Sequence, residues 1–148
     1  MAELKKIWDK YTQGWAGSII YIILGFIIAL LFNAGLGFAL NTDTPVVAVF
    51  SDSMVPTYFK GDMIIVMNYS NYEDVKIGDV IVFSVPDRRY PIIHRIYNIT
   101  NGVIITKGDH NQYVDPWTTT RNNIHGKAIL KIPLLGWVKI IFNEITGL

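Results

Sequence analysis

A short polar run between two apolar runs carries the first residues that could do chemistry. Ser51 and Ser53 follow the apolar residues 46–50, and Pro56 restricts the backbone of the residue before it. A serine hydroxyl at the end of a strand can face solvent, and it becomes a nucleophile when a neighbouring base takes its proton. The alternative is an ordinary turn rich in serine and aspartate, with no catalytic role.

The choice of a base is narrow, because the chain has three histidines. His94 lies in an apolar run, where strand alternation places it on one face with Ile92 and Ile96 and places Arg95 on the other. An unperturbed imidazole titrates at about pH 6.5, which suits a general base at neutral pH. The alternative is that His94 is a buried core residue with no catalytic role. For Arg95 we expect an ion pair that braces the strand.

Two aspartates further along could complete the constellation. Asn101-Gly102 predicts a hairpin that brings the segment leading to Asp109 beside the strand of His94. A carboxylate bonded to the imidazole would hold its tautomer and stabilise the imidazolium. Either Asp109 or Asp115 could do this, and the sequence does not separate them.

These residues follow a long apolar segment near the N-terminus. Residues 11–42 carry no charge, and a bilayer core needs only about 20 apolar residues in a helix. Lys5, Lys6 and Lys10 precede the segment, so the positive-inside rule places the N-terminus in the cytoplasm and the later residues outside. We predict an uncleaved anchor, because the apolar run exceeds the roughly 7–15 residues of a leader's core. A cleaved leader and a buried helix are the alternatives.

After the anchor, the sequence indicates a β domain. Short runs rich in Val and Ile are bounded by turn residues, and no helical spacing occurs between residues 43 and 130. This pattern predicts a mainly β fold of about six strands, a small barrel or sandwich. The predicted strands are residues 46–50, 63–67, 80–83, 92–97, 102–106 and 128–132.

The C-terminal segment is apolar but is interrupted by Lys139 and Glu144. It is too short and too charged for a second span, so we predict a helix that lies at the membrane surface or packs on the domain. The predicted organisation is a cytoplasmic N-terminus (1–13), an anchor (14–40), a β-rich domain (41–132) and an amphipathic C-terminal segment (133–148).

Composition excludes several functions. The chain of 148 residues contains no cysteine, which excludes disulfides, thiolate nucleophiles and cysteine-ligated metals. Its formal net charge of +1 provides no basic field for nucleic acid.

The serine run resembles a known family motif. Ser-x-Ser-Met-x-Pro-Thr, at residues 51–57, resembles the nucleophile motif of type I signal peptidases. Later segments match that family in order: residues 60–66, residues 78–83, the pair His94-Arg95, and residues 107–111 with Asp115 beyond them. Bacterial members use lysine as the base, whereas the archaeal and endoplasmic-reticulum branch has histidine followed by arginine. This chain is therefore similar to the second branch.

The resemblance implies a role for each matched residue. Ser53 would be the nucleophile, His94 the general base, Asp115 the essential acid and Asp109 a supporting one. Ser51 matches the position whose hydroxyl helps the oxyanion hole in bacterial relatives. Between the two aspartates we favour Asp115 as the partner of His94, with Asp109 holding the loop or a water.

The resemblance also implies the substrate and the setting. A membrane-bound serine endopeptidase of this family removes N-terminal signal peptides from exported preproteins and cleaves after small residues at the first and third positions before the bond. The expected partners are preprotein signal peptides, the lipid bilayer, and the Sec translocon or other complex subunits, and no nucleic acid. We expect the catalytic domain to be extracytoplasmic and to use neither a cofactor nor a metal.

Three other functions fit parts of the pattern. A metal-dependent hydrolase would use the cluster His94, Asp109, His110 and Asp115. The spacing of that cluster matches no metal-ligand motif. A non-enzymatic anchored β module would bind a partner through its sheet edge. A Ser-Lys autoprotease would need Lys107 or Lys60 as its base, and an anchor would be unexpected there.

The remaining polar motifs carry less weight. His110 stands where the family more often has asparagine, and we expect a solvated loop residue. His125 has no motif support, and we expect it to be structural or exposed. Residues 68–70 and 98–100 match the glycosylation sequon, which an exported domain could use.

Overall fold

The computed structural model describes residues 1, 3, 14–69, 75–86, 88 and 90–147. The chain divides into two compact units, Met1–Leu36 and Gly37–Leu148. The predicted cytoplasmic N-terminus, residues 1–13, lies almost wholly outside the described residues, and so does Ser70 of the first sequon.

A long apolar helix, α1 (Gly14–Ala39), confirms the helix that the sequence predicts near the N-terminus. Its segment Gly17–Ala39 has 23 residues and a mean hydropathy of 2.5, so it is long and apolar enough to cross a membrane. Large side chains along it, such as Phe26 and Leu31, are exposed. This exposure does not fit the alternative of a buried core helix.

The described residues after α1 form an antiparallel sheet of seven strands, in the spatial order β1-β2-β7-β3-β4-β5-β6. The strands are β1 (Val46–Ala48), β2 (Met63–Met67), β3 (Val80–Phe83), β4 (Ile92–Thr100), β5 (Val103–Lys107), β6 (Thr118–Thr119) and β7 (Ile124–Ile132). A 3₁₀ turn (Arg121–Asn123) precedes β7, and the helix α2 (Gly136–Thr146) follows it. The predicted mainly β fold is confirmed.

The central strand β3 is buried along its whole length, because both faces of the sheet carry a core. Val80 and Val82 belong to a cluster that also contains Met54. Ile81 and Phe83 belong to a second cluster, on the face that carries Ile96 and Ile104. Strands buried on both faces are continuous apolar runs rather than alternating ones. The site residues of β4 are thus held next to a rigid strand.

The hairpin between β4 and β5 forms at the predicted turn. Thr100 pairs with Val103 across it. Asn101 and Gly102 have φ of 50° and 78°, the left-handed values that a two-residue hairpin turn of this type requires. The prediction that this hairpin brings the loop with Asp109 toward the strand of His94 is confirmed.

The two largest differences from the predicted strands are at β6 and β7, and β1, β4 and β5 also end at other residues than predicted. The two-residue strand β6 was not predicted, because its Thr-Thr sequence has no apolar alternation. β7 begins at Ile124, four residues before the predicted start, because His125 and Gly126 are absorbed into the strand. Both differences arise where a residue pairs in the sheet without the apolar side chain that usually marks a strand.

The C-terminal helix α2 begins against the turn before β2. A Cβ at Gly136 would lie 2.3 Å from the Asp62 carbonyl oxygen, and one at Gly61 would lie 2.0 Å from Trp137 Nε1, so both contacts need glycine. Ile140 is buried, whereas Val138 and Phe142 are exposed. α2 therefore packs on the domain along one face and leaves an apolar face open.

Candidate active site

Two neighbouring side chains of β4 lie on opposite faces of the sheet. His94 is 6% exposed and lies on the face of Ile96, while Arg95 lies on the opposite face, as alternation predicts. Each of the two binds a different aspartate from the loop that follows β5. One strand thereby organises both halves of the site.

On the first face, Ser53, His94 and Asp115 form a line of hydrogen bonds. His94 Nε2 lies 3.0 Å from Ser53 Oγ, and His94 Nδ1 lies 2.6 Å from Asp115 Oδ2. The Thr106 hydroxyl donates to the same carboxylate oxygen at 2.5 Å, and the Asp115 backbone N–H donates to the Thr106 carbonyl at 2.9 Å. The carboxylate accepts the Nδ1–H, so Nε2 is left as the acceptor that faces the serine.

The turn that carries Ser53 is held in place by the loop after β5. The His110 backbone N–H donates to the Ser53 carbonyl at 2.9 Å. A Cβ at Gly108 would lie 2.6 Å from that carbonyl oxygen, so glycine permits the close approach. Met54, next to the serine, is 1% exposed and anchors the turn in the core. These contacts fix Ser53 although its own side chain reaches the surface.

On the opposite face, the carboxylate of Asp109 accepts hydrogen bonds from both Arg95 and Thr57. Arg95 donates to both carboxylate oxygens of Asp109, from Nε at 2.8 Å and from Nη2 at 2.7 Å, and the Thr57 hydroxyl also donates to Asp109. The hydrogen bonds from Arg95, with help from Thr57, hold the pKa of Asp109 below its ordinary value. The ion pair predicted for Arg95 is present. Asp109 therefore lies on the arginine and not on the imidazole.

Ser51 stands beside the nucleophile. Its Oγ lies 3.2 Å from Ser53 Oγ, and both hydroxyls open into a cleft of about 430 Å³. The other walls of that cleft are largely apolar and include Ala48, Phe50, Tyr90, Ile92 and Trp117. A cleft with apolar walls and a few convergent polar groups is the usual form of a substrate site.

The residues of the two alternative enzyme sites do not all come together. Among the described residues, no group of three or more His, Cys, Asp or Glu could hold a metal ion. The side chain of Lys60 lies over the Trp137 ring, 5.5 Å from its centroid, while the base position beside Ser53 is occupied by His94. His110 is exposed, and His125 Nε2 lies 2.7 Å from Ser84 Oγ.

Three residues of the site were missed from the sequence. Thr57 and Thr106 each donate a hydroxyl to one of the aspartates, and Asn111 lines the cleft. Thr57 and Asn111 lie inside the matched segments, so their position was a usable signal. Nothing in the sequence singles out Thr106.

Serine, imidazole and carboxylate in hydrogen-bonded sequence beside an open cleft define a serine peptidase site. The Peptidase S24-like family model matches residues 28–129. The chain belongs to this family, and its predicted membership of the signal peptidases of the Ser-His branch is confirmed.

Among the similar proteins are catalytic subunits of signal peptidase complexes. The signal peptidase complex catalytic subunit SEC11 of Komagataella phaffii is 32% identical over 133 residues, which cover 78% of this chain and 77% of the relative. SEC11 of Verticillium alfalfae is 31% identical over 133 residues, covering 81% and 77%. SEC11 of Scheffersomyces stipitis is 29% identical over 139 residues, covering 86% and 81%.

Proposed function

We propose that this chain cleaves N-terminal signal peptides from exported preproteins, with Ser53 as nucleophile, His94 as general base and Asp115 as the acid that orients the base. The observation that carries the assignment is the line of hydrogen bonds from Ser53 through His94 to Asp115. The SEC11 relatives are catalytic subunits of signal peptidase complexes, and this similarity supports the substrate class.

The chemistry follows from that line. His94 Nε2 takes the proton of Ser53 Oγ as the oxygen attacks the scissile carbonyl carbon. The imidazolium then gives this proton to the leaving amine, the C–N bond breaks, and an ester of Ser53 remains. Water, activated by His94 in the same way, hydrolyses the ester and releases the new carboxylate. Asp115 stays ionised throughout and stabilises the imidazolium.

The developing oxyanion needs donors on the side of Ser51. The backbone N–H of Ser53 and the Ser51 hydroxyl, 3.2 Å from Ser53 Oγ, are our candidates. Such donors act more strongly in the transition state than in the ground state, because the negative charge develops on that oxygen as the serine attacks.

The edge strand β1 is our candidate for binding the substrate. It pairs with β2 alone within the described sheet, and residues that follow it line the cleft at Ser53. An extended peptide added at a sheet edge gains main-chain hydrogen bonds, and alternate side chains enter pockets. Small residues before the scissile bond would suit a shallow wall formed by Ala48 and Ile92.

Membrane attachment would set where the enzyme meets its substrate. We propose that α1 is an uncleaved anchor of residues 14–40, with residues 1–13 in the cytoplasm and the β domain, residues 41–132, on the other side. The C-terminal segment, residues 133–148, would rest its apolar face on the bilayer. Because the SEC11 relatives are subunits of a complex, we also propose that this chain works with further membrane subunits.

Preprotein cleavage in vesicles tests the assignment. Ser53→Ala and His94→Ala should abolish cleavage, and Asp115→Asn should lower kcat by about 10⁴, since the imidazole then loses its correct tautomer. The exposed neighbour His110→Ala is the matched control and should cleave normally. Full activity in Ser53→Ala would contradict the proposal, and a wild-type chain without cleavage activity would favour a non-enzymatic β module. His94→Lys should not rescue activity, because a lysine base needs different surroundings to stay neutral.

A further inference from the structure

Asn111 is a polar side chain in the cleft to which the proposed mechanism gives no task. It lines the cleft together with Ser51, Ser53 and His94, and it is half-buried. Its backbone N–H donates to the Gly108 carbonyl at 3.0 Å, which closes the turn after β5. Its backbone is therefore fixed by the same turn that supports the nucleophile.

The Asn111 amide lies close to the nucleophile. Gly108 lies next to both groups. A Cβ atom added to Gly108 would be 2.6 Å from the Ser53 carbonyl oxygen and 2.7 Å from Asn111 Nδ2. Two atoms this close to one point can be no more than about 5.3 Å apart, the sum of those two distances. Packing against Gly108 restricts the side chain, so the amide is held near the backbone of Ser53.

The hydrogen-bonding capacity of this amide is unused by the protein. Within the described part of the chain, no side-chain hydrogen bond of Asn111 is formed. An asparagine amide offers two N–H donors and one carbonyl acceptor, the same kinds of group as a peptide unit. We propose that Asn111 binds the main chain of the substrate peptide next to the scissile bond, an inference that rests on the proposed peptidase function.

This role differs from that of an oxyanion donor. The N–H of Ser53 belongs to the peptide unit before the nucleophile, and Ser51 precedes it. The Asn111 amide lies within about 5.3 Å of the Ser53 carbonyl, which belongs to the peptide unit after the nucleophile. In the proposed role the amide binds the substrate main chain in the ground state and in the transition state alike, so its loss should weaken binding more than it slows chemistry.

Steady-state cleavage and binding separate the two roles. The substrate is a fluorogenic peptide with an apolar segment followed by alanine at the first and third positions before the bond. For Asn111→Ala we expect KM to rise about three- to tenfold, the worth of one or two uncharged hydrogen bonds, with kcat within about twofold. His110→Ala, in the same turn and exposed, is the matched control and should leave both constants unchanged.

Binding is then measured without cleavage. In a Ser53→Ala background, adding Asn111→Ala should raise the Kd for the same peptide by the same factor as KM. An unchanged Kd, or a fall in kcat at constant KM, would overturn the role given to Asn111 and indicate a purely structural turn residue. If Ser53→Ala still cleaves, the proposed function itself fails, whatever the Asn111 variants do.

Discussion

At the scale of single residues, the site depends on two aspartates with separate tasks. Asp115 is buried against His94 and Thr106, where it holds the base. Asp109 is bound by Arg95 on the other face, where it ties the nucleophile turn to the loop after β5. Both aspartates come from one loop, so the positions of nucleophile and base are coupled through it. Exchanging their roles would require the loop to cross the sheet.

The hydroxyl of Ser51 should contribute to the rate. Removing one oxyanion donor typically costs about 2.7–4 kcal/mol, so Ser51→Ala should lower kcat by about 10²–10³ with little change in KM. Ser51→Thr keeps a hydroxyl at the same place and is the matched control. Equal kcat in Ser51→Ala and the wild type would remove Ser51 from the oxyanion hole and leave the Ser53 backbone N–H as its donor.

The ion pair between Arg95 and Asp109 should make the stability of the protein depend on pH. The pKa of Asp109 is lowered, chiefly by hydrogen bonds from Arg95. A carboxyl with a lowered folded pKa stabilises the native state above its unfolded pKa of about 3.9, and this contribution is lost as the pH falls through the folded value. Asp109→Asn should therefore be less stable by about 1–2 kcal/mol at pH 7 and show a flatter acid limb.

Thermal unfolding in detergent between pH 3 and 8 measures this effect. Asp43→Asn, at an exposed aspartate, is the control and should follow the wild-type curve. Asp79 also has a lowered pKa: burial would raise it, but hydrogen bonds from Lys127 and Tyr69 outweigh burial. Some acid dependence should therefore persist in Asp109→Asn. A variant curve parallel to that of the wild type would show that Asp109 does not carry the effect.

At the scale of elements, the bulge in β4 decides which residue of β5 meets Asp115. Next to the turn, Thr100 of β4 pairs with Val103 of β5, and Asn98 pairs with Ile105. The register then shifts by one residue, so that Ile96 pairs with Thr106. Without the shift, Lys107 would be opposite Ile96, on the face of His94. The bulge therefore delivers the Thr106 hydroxyl, rather than a lysine, to that face.

This bulge also separates the features of the site that the sequence predicts from those that it does not. The hairpin follows from Asn101-Gly102, and the face of His94 follows from alternation, because both are local rules. The partner of His94 depends on the register beyond the bulge and on the path of the loop to Asp115, which are set by tertiary packing. The motif resemblance favoured Asp115, whereas residue spacing left both aspartates open.

The exposed face of α2 should contact lipid. Val138, Ile141, Phe142 and Ile145 are exposed on one side of a helix whose other side is docked through Gly136 and Ile140. The chain has no cysteine, so an introduced one is a unique label. In vesicles, Phe142→Cys should react slowly with a water-soluble maleimide, and Glu144→Cys, the control beside that face, should react quickly. Detergent denaturation should equalise the two. Equal rates in intact vesicles would show that this face is open to water and does not contact lipid.

At the scale of the whole molecule, the short segment between α1 and Ser53 limits how far Ser53 can lie from the end of that helix. Ser53 follows the end of α1 by 14 residues, and an extended chain spans at most about 3.6 Å per residue, so the nucleophile lies within roughly 50 Å of the helix end. Among the described residues, α1 is the one helix that could span a bilayer. The proposed topology places the β domain on the side of the membrane opposite the N-terminus.

The direction of α1 in the membrane is the last expectation to test. Lys5, Lys6 and Lys10 precede it, so residue 2 should lie in the cytoplasm and Tyr113, which is exposed, on the opposite side. In sealed vesicles of known orientation, an impermeant maleimide should label Ala2→Cys from one side and Tyr113→Cys from the other, and permeabilisation should expose both. Labelling of both from the same side would contradict a single span. A mature chain that lacks the label at residue 2 and has lost the mass of its first segment would instead identify α1 as a cleaved leader.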